Sequence, residues 1–183
     1  MSLKPNYSSR SRSEKVADEC SRIVSTGPIA QYVCWEAVLY VLYIKNVISK
    51  SKFEAMKQDT KAEQFRDLFP MMCSVLKTQQ DLLDLPRGCI LGFFKRRPGS
   101  NGQWFLAHAM IYVGNGQAYG TNNSAIGQSP AWGAIRLDDL SVFSWDSPMS
   151  FSYAEVGNSG SRPDVEVRYR DIDDFNTLGC AIM

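Results

Sequence analysis

Two side chains in this sequence of 183 residues have the type and placement for nucleophilic chemistry at a carbonyl: the thiol of Cys34 and the imidazole of His108, the only histidine. An imidazole can take the thiol proton as sulfur attacks and return it to a departing amine. His108 opens the stretch HAMIYVGNGQAYGTNN, residues 108 to 123, which folds back around Asn115-Gly116. That dipeptide suits a type I′ turn, which needs positive φ at both central positions. With those two as the loop, 114 pairs with 117, 112 with 119, and His108 faces Asn123 on one side of the sheet. The asparagine carbonyl would hold the ring in one tautomer and leave the other nitrogen free for a proton. One slip or bulge would substitute Asn122. Cysteine, histidine and asparagine together form a known variant of the catalytic triad.

The elements that must carry these groups are a helix and a hairpin. Gly27-Pro28 breaks the chain before an apolar run from about Ala30 to Ile48, and Cys34 falls within its first turn or so. There the helix dipole and unpaired N–H groups favour a thiolate. The plainer reading makes Cys34 a small apolar residue of a buried helix, a description that Cys20, Cys73 and Cys89 fit better. The oxyanion would be held by the Cys34 backbone N–H and the Gln31 amide, although Gln31 can equally point outward. Trp35, next to the nucleophile, and Trp104 are candidates for a substrate groove.

The chain length fits one domain, expected over 13–170, between a flexible segment at 1–12 and a tail at 171–183. Lys and Arg total 20 against 19 Asp and Glu, so no broad positive field exists to grip nucleic acid. Lys95-Arg96-Arg97 reads as the polar end of a strand entering a loop. The apolar run at 29–48 contains Gln31, Glu36 and Lys45, which favours a buried helix over a membrane span. The first fifteen residues lack the apolar core of a signal peptide, so the protein is expected to be made in the cytoplasm. Five cysteines without a CxxC pair, with one histidine, suggest reduced thiols, no metal site and no cofactor. Ser13 is placed to cap a helix over 14–24, and helical patterns continue to about Lys77. Beyond Leu85-Pro86-Arg87-Gly88 the stretches CILGFF, WFLAHAMIYV, QAYGTN, FSYAEV and DVEVRYR read as strands. The expected class is α+β, a helical N-terminal half packed on an antiparallel β-sheet.

GPIAQYVCWEAVLYVLY, LPRGCILGFF and HAMIYVGNGQAYG resemble the papain-like NlpC and CHAP superfamily of cysteine amidases and peptidases, over roughly residues 27 to 123. The resemblance implies a papain-like fold, a nucleophilic Cys34 starting a helix and a basic His108 opening a hairpin. The Cys-before-His order separates the chain from the permuted acyltransferase branch. Many relatives carry Asp where this chain has Val33 and Cys89, and a third polar residue near Gly120. The third member is therefore open between Asn123, Asn122 and an acidic residue from Asp138, Asp139 or Asp146.

The resulting expectation is a thiol-dependent amide hydrolase resembling effectors exported by a specialised secretion system. The substrate would be a peptidoglycan peptide, cut by an amidase or endopeptidase, or a host protein met by a protease or glutamine deamidase. A cognate immunity protein is a further expected partner. The rival is a catalytically inactive binding module on the same fold. GNSGS at 157–161 resembles the serine loop of trypsin-like proteases, but the helical first half leaves too little chain for two β-barrels. Cys180-Ala181-Ile182-Met183 matches a C-a-a-X box, so membrane contact is expected only if Cys180 is lipidated.

Overall fold

The computed structural model describes residues 11–69, 75–96, 104–123, 129–137, 143–147, 150–153 and 164–173. Helix α1 spans Arg12–Cys20, and its cap is Ser11, two residues before the expected Ser13. The Ser11 hydroxyl accepts the Glu14 N–H at 3.2 Å while the Glu14 carboxylate accepts the Ser11 N–H at 3.0 Å. This reciprocal pair satisfies two orphan donors, and it leaves Ser13 buried in the first turn.

The apolar run forms a turn and a helix, not one helix from Ala30 to Ile48. Pro28–Gln31 make a 3-10 turn, the chain becomes extended at Tyr32 and Val33, and α2 then covers Cys34–Ile44. Asn46 at φ 55° ends the run, with Val47 N–H bonding back to Leu42 O at 2.8 Å. Cys34, Trp35, Ala37, Val38, Leu39, Val41 and Leu42 are all buried, so α2 is covered around most of its circumference. Among the described residues no helix is long and apolar enough to cross a membrane.

Helix α3, Lys50–Lys57, is capped by Ser49, and α4 is the single turn Glu63–Arg66. The helical pattern does not run on to Lys77: Val75–Leu76 form the short strand β1, and Thr78 caps a further helix, α5, at Gln79–Leu83. The remaining strands are β2 (Ile90–Arg96), β3 (Phe105–Gly114), β4 (Gln117–Gly120), β5 (Gly133–Arg136), β6 (Phe143–Ser147), β7 (Ser150–Tyr153) and β8 (Asp164–Arg170). Lys95 and Arg96 form the polar end of β2, as expected, and are half-buried there. Arg97, the GNSGS stretch, Cys73 and Cys180 lie outside the described residues, as does the N-terminal segment up to residue 10.

The protein is α+β, with a six-stranded antiparallel sheet ordered β1-β8-β2-β3-β4-β5 and a separate β6-β7 pair. One face carries Ile90, Phe94, Ala109 and Ile111, packed with the buried residues of α1 to α4. The other carries Leu91, Phe93, Met110, Tyr112 and Val167 with Leu82 of α5. Ile172 is buried in the first cluster, so the expected tail beginning at 171 starts inside the core.

Gly88 joins the two halves. It sits at φ +86°, and a Cβ there would lie 1.9 Å from the Ser13 carbonyl oxygen. Its N–H donates to Tyr112 O at 2.7 Å, tying the turn before β2 to β3 beneath the start of α1. Gly88→Ala is expected to destabilise the fold by about 2–5 kcal/mol, adding left-handed strain to overpacking. Urea unfolding measures this, and an unchanged midpoint would contradict the close approach.

Candidate active site

The Asn115-Gly116 turn forms as its residue types demand, with φ of 54° and 71°. Its register nevertheless differs from the simple count. Gly114 pairs with Gln117, but Tyr112 pairs with Ala118 and Ile111 with Tyr119, so one irregularity at Val113 shifts the ladder by a residue. Continued to the strand's far end, that shift would set Asn122 against His108. The ladder instead stops at Gly120. Asn122 takes a left-handed conformation, exposes its side chain and donates its N–H to Pro130 O at 2.8 Å. The following residue, Asn123, is buried.

His108 is 0% exposed, and its Nε2 lies 3.1 Å from Asn123 Oδ1. A bulge leaves Ala107 as an extra residue just before it, between the Phe93–His108 and Phe94–Leu106 pairs. Such bulges re-aim the side chain that follows. The ring packs 5.6 Å from that of Phe93. The amide orientation is fixed, because Asn123 Nδ2 donates to Gly120 O at 3.0 Å and to Ala131 O at 3.2 Å. Oδ1 must then accept, so Nε2 carries the ring hydrogen and Nδ1 is an unprotonated acceptor. That Nδ1 is buried without a hydrogen-bond partner.

Cys34 is the first residue of α2. Its thiol is buried against the backbone N–H groups of Ala109, Trp35 and Cys34 itself. Those donors favour a thiolate, as does the helix start, but burial outweighs them and Glu36 adds a like charge, so the thiol's pKa is raised. This corrects the expectation of a depressed value. Burial likewise pushes His108 down to about 4, opposed by the Asn123 hydrogen bond. Cys34 and His108 thus rest as a neutral thiol and a neutral imidazole, and no hydrogen bond joins them. The structure brings the thiol to Ala109, the residue after His108, and brings Asn123 to the imidazole.

The flanking residues divide. Gln31 is exposed on the turn before α2, and Val33, 43% exposed, is a cap without a side-chain acceptor. The Glu36 carboxylate accepts the Val33 N–H at 3.1 Å. Trp35 turns into the core beside Phe65, 6.2 Å between ring centroids, and does not wall an open groove. Trp104 is half-buried under the guanidinium groups of Arg96 and Arg168, at 5.0 and 5.7 Å from its ring. Its aromatic surface is therefore occupied by cations. Cys20 and Cys89 are fully buried thiols with pKa values raised by desolvation. Asp138 and Asp139 lie outside the described residues, and Asp146 is described only as part of strand β6. Among the described residues no group of His, Cys, Asp and Glu could hold a metal ion.

Residue types did not point to the strap at 129–132. Pro130 O accepts from Thr121 Oγ1 at 3.1 Å as well as from Asn122, and Trp132 Nε1 donates to Cys20 O at 3.0 Å. These carbonyls hold the turn that delivers Asn123, and backbone acceptors leave no signature in sequence. Comparison of the chain with protein families, with curated proteins and with solved structures gave no match.

The buried imidazole makes a clean pH prediction. His108 is held at about 4, below its ordinary 6.5, so between these values the unfolded chain binds a proton that the folded chain refuses. Its contribution to stability is full above pH 6.5 and is lost as pH falls towards 4. Midway through the window from 4 to 6.5, at about pH 5, the slope should approach one proton, assignable because the chain has a single histidine. Urea midpoints across that window test this, and a flat profile would contradict the burial.

Proposed function

We propose that this chain is a thiol-dependent amide hydrolase of papain-like fold, with Cys34 as nucleophile, His108 as general base and acid, and Asn123 as the residue that holds the imidazole. The observation that carries this reading is the unprotonated, unpartnered Nδ1 of His108, one residue from the amide against which the Cys34 thiol lies. The order of a cysteine at a helix start followed by a histidine on a strand supports it. In the first step Nδ1 takes the thiol proton as sulfur adds to the amide carbonyl. The backbone N–H of Cys34 and the exposed Gln31 amide are the oxyanion donors nearest in sequence. Collapse of the tetrahedral species breaks the C–N bond, and the imidazolium proton leaves on the amine. Water, deprotonated by the same nitrogen, then releases the acid from the thioester.

The resting pair is neutral and lacks a thiol–imidazole hydrogen bond, so the nucleophile is generated only as substrate enters and the thiol turns towards Nδ1. Catalytic hydrogen bonds often tighten only at that stage. The substrate is a peptidoglycan peptide, and the protein is an exported effector countered by a cognate immunity protein. A host protein is the other amide source. One observation favours a second reading, a catalytically inactive binding module: burial holds Cys34 above the ordinary thiol range.

Wild type and Cys34→Ala are offered to purified muropeptides and to a host-cell lysate, and new termini and Gln-to-Glu mass shifts are read by mass spectrometry. The hydrolase reading expects products from wild type alone, at least ~100-fold above the variant, because the nucleophile carries the chemistry. Products in neither pool, with Cys34 alkylated by iodoacetamide no faster in wild type than in His108→Ala, would leave the binding module standing.

A further inference from the structure

We propose that Gly120 is a positioning residue for His108, acting through the asparagine. Gly120 ends β4, and its backbone does not lie in the left-handed region, so nothing in its conformation requires glycine. Space does. A Cβ at this position would stand 2.9 Å from Asn123 Oδ1 and 3.0 Å from Met110 Cγ, both well inside the ~3.5–4.0 Å of ordinary carbon contact. The missing side chain is the slot through which the Asn123 carbonyl oxygen reaches His108 Nε2.

The same residue anchors the other end of the amide, since Gly120 O accepts Asn123 Nδ2 at 3.0 Å. A methyl group would therefore press on an amide that is pinned on three sides, by His108, Gly120 and Ala131. Met110 is met both at Cγ (3.0 Å) and at its methyl end Cε (3.1 Å), and a shift of that flexible side chain leaves the 2.9 Å contact with the pinned amide oxygen unrelieved. The oxygen moves instead, and the imidazole loses the acceptor that fixes its hydrogen on Nε2. Gly120 thus decides which ring nitrogen is left free. That role in proton transfer rests on the reading of His108 as base, whereas the slot itself does not.

The test reads His108 directly and needs no substrate. In 15N-labelled protein the Nε2–H proton is expected to exchange at least about tenfold faster in Gly120→Ala than in wild type. In the Asn123→Ala background that proton already exchanges fast, and adding Gly120→Ala should change the rate less than about twofold. Exchange in Gly120→Ala equal to wild type, or accelerated by one factor in both backgrounds, would overturn the proposal. Should Gly120→Ala fail to fold, the double variant decides: recovered folding supports a conflict with the Asn123 oxygen, and continued failure places the conflict elsewhere. A chain inactive on every amide but showing this coupling would lose the hydrolase reading and keep the slot.

Discussion

A buried imidazole is costly unless its polar atoms are accounted for, and much of the second half of this chain is arranged around one half of that requirement. Nε2 of His108 is satisfied by Asn123, and Asn123 is held by carbonyls from Gly120 and from the strap at Ala131. The strap is tied in turn to α1 through the Trp132 indole and the Cys20 carbonyl. A side chain on β3 is thus oriented by the end of one strand, by a strap before the next, and ultimately by the first helix. Nδ1 is the one ring atom left out of this chain of contacts.

The sheet divides the interior, and both of its faces are covered. Ile90 to Phe94 are all buried, so β2 has no solvent face and reads as a continuous apolar run. The Cys34 end of α2 belongs to the cluster that contains Ala109 and Ile111, while Phe93, against which the imidazole packs, belongs to the other. The bulge at Ala107 stands at this divide. His108 and Ala109 follow it in regular register, and strand alternation turns Ala109 towards the helix and its neighbour His108 towards Asn123.

What the sequence revealed follows from how local each signal is. Asn115-Gly116 forms its turn because the positive φ values are a property of two residues, and Asn123 meets His108 as the hairpin suggests. The reason differs, since an irregularity at Val113 breaks the count and a left-handed Asn122 restores the partner by another route. Cys34 begins a helix, yet its thiol is pushed up, not down, because desolvation depends on what packs against it and α2 is buried nearly all round. Trp35 turns inward for the same reason. Strand β5 escaped notice because GAIR is four residues with little apolar character, and its place is set by pairing with β4. The position of β8 between β1 and β2 is set by contacts far apart in the chain, which no local pattern contains.

That position has a consequence for the making of the protein. β2 is complete at Arg96, but the strand that covers its open edge begins only at Asp164. At a synthesis rate of about 5–20 residues per second, the intervening stretch of roughly 70 residues keeps that edge waiting for about 3 to 14 seconds. During this interval the nascent chain carries an apolar strand paired on one side at most, the kind of edge on which polypeptides associate wrongly. The central sheet therefore closes late, and synthesis halted before β8 would leave a chain whose core strand β2 has one edge unpaired.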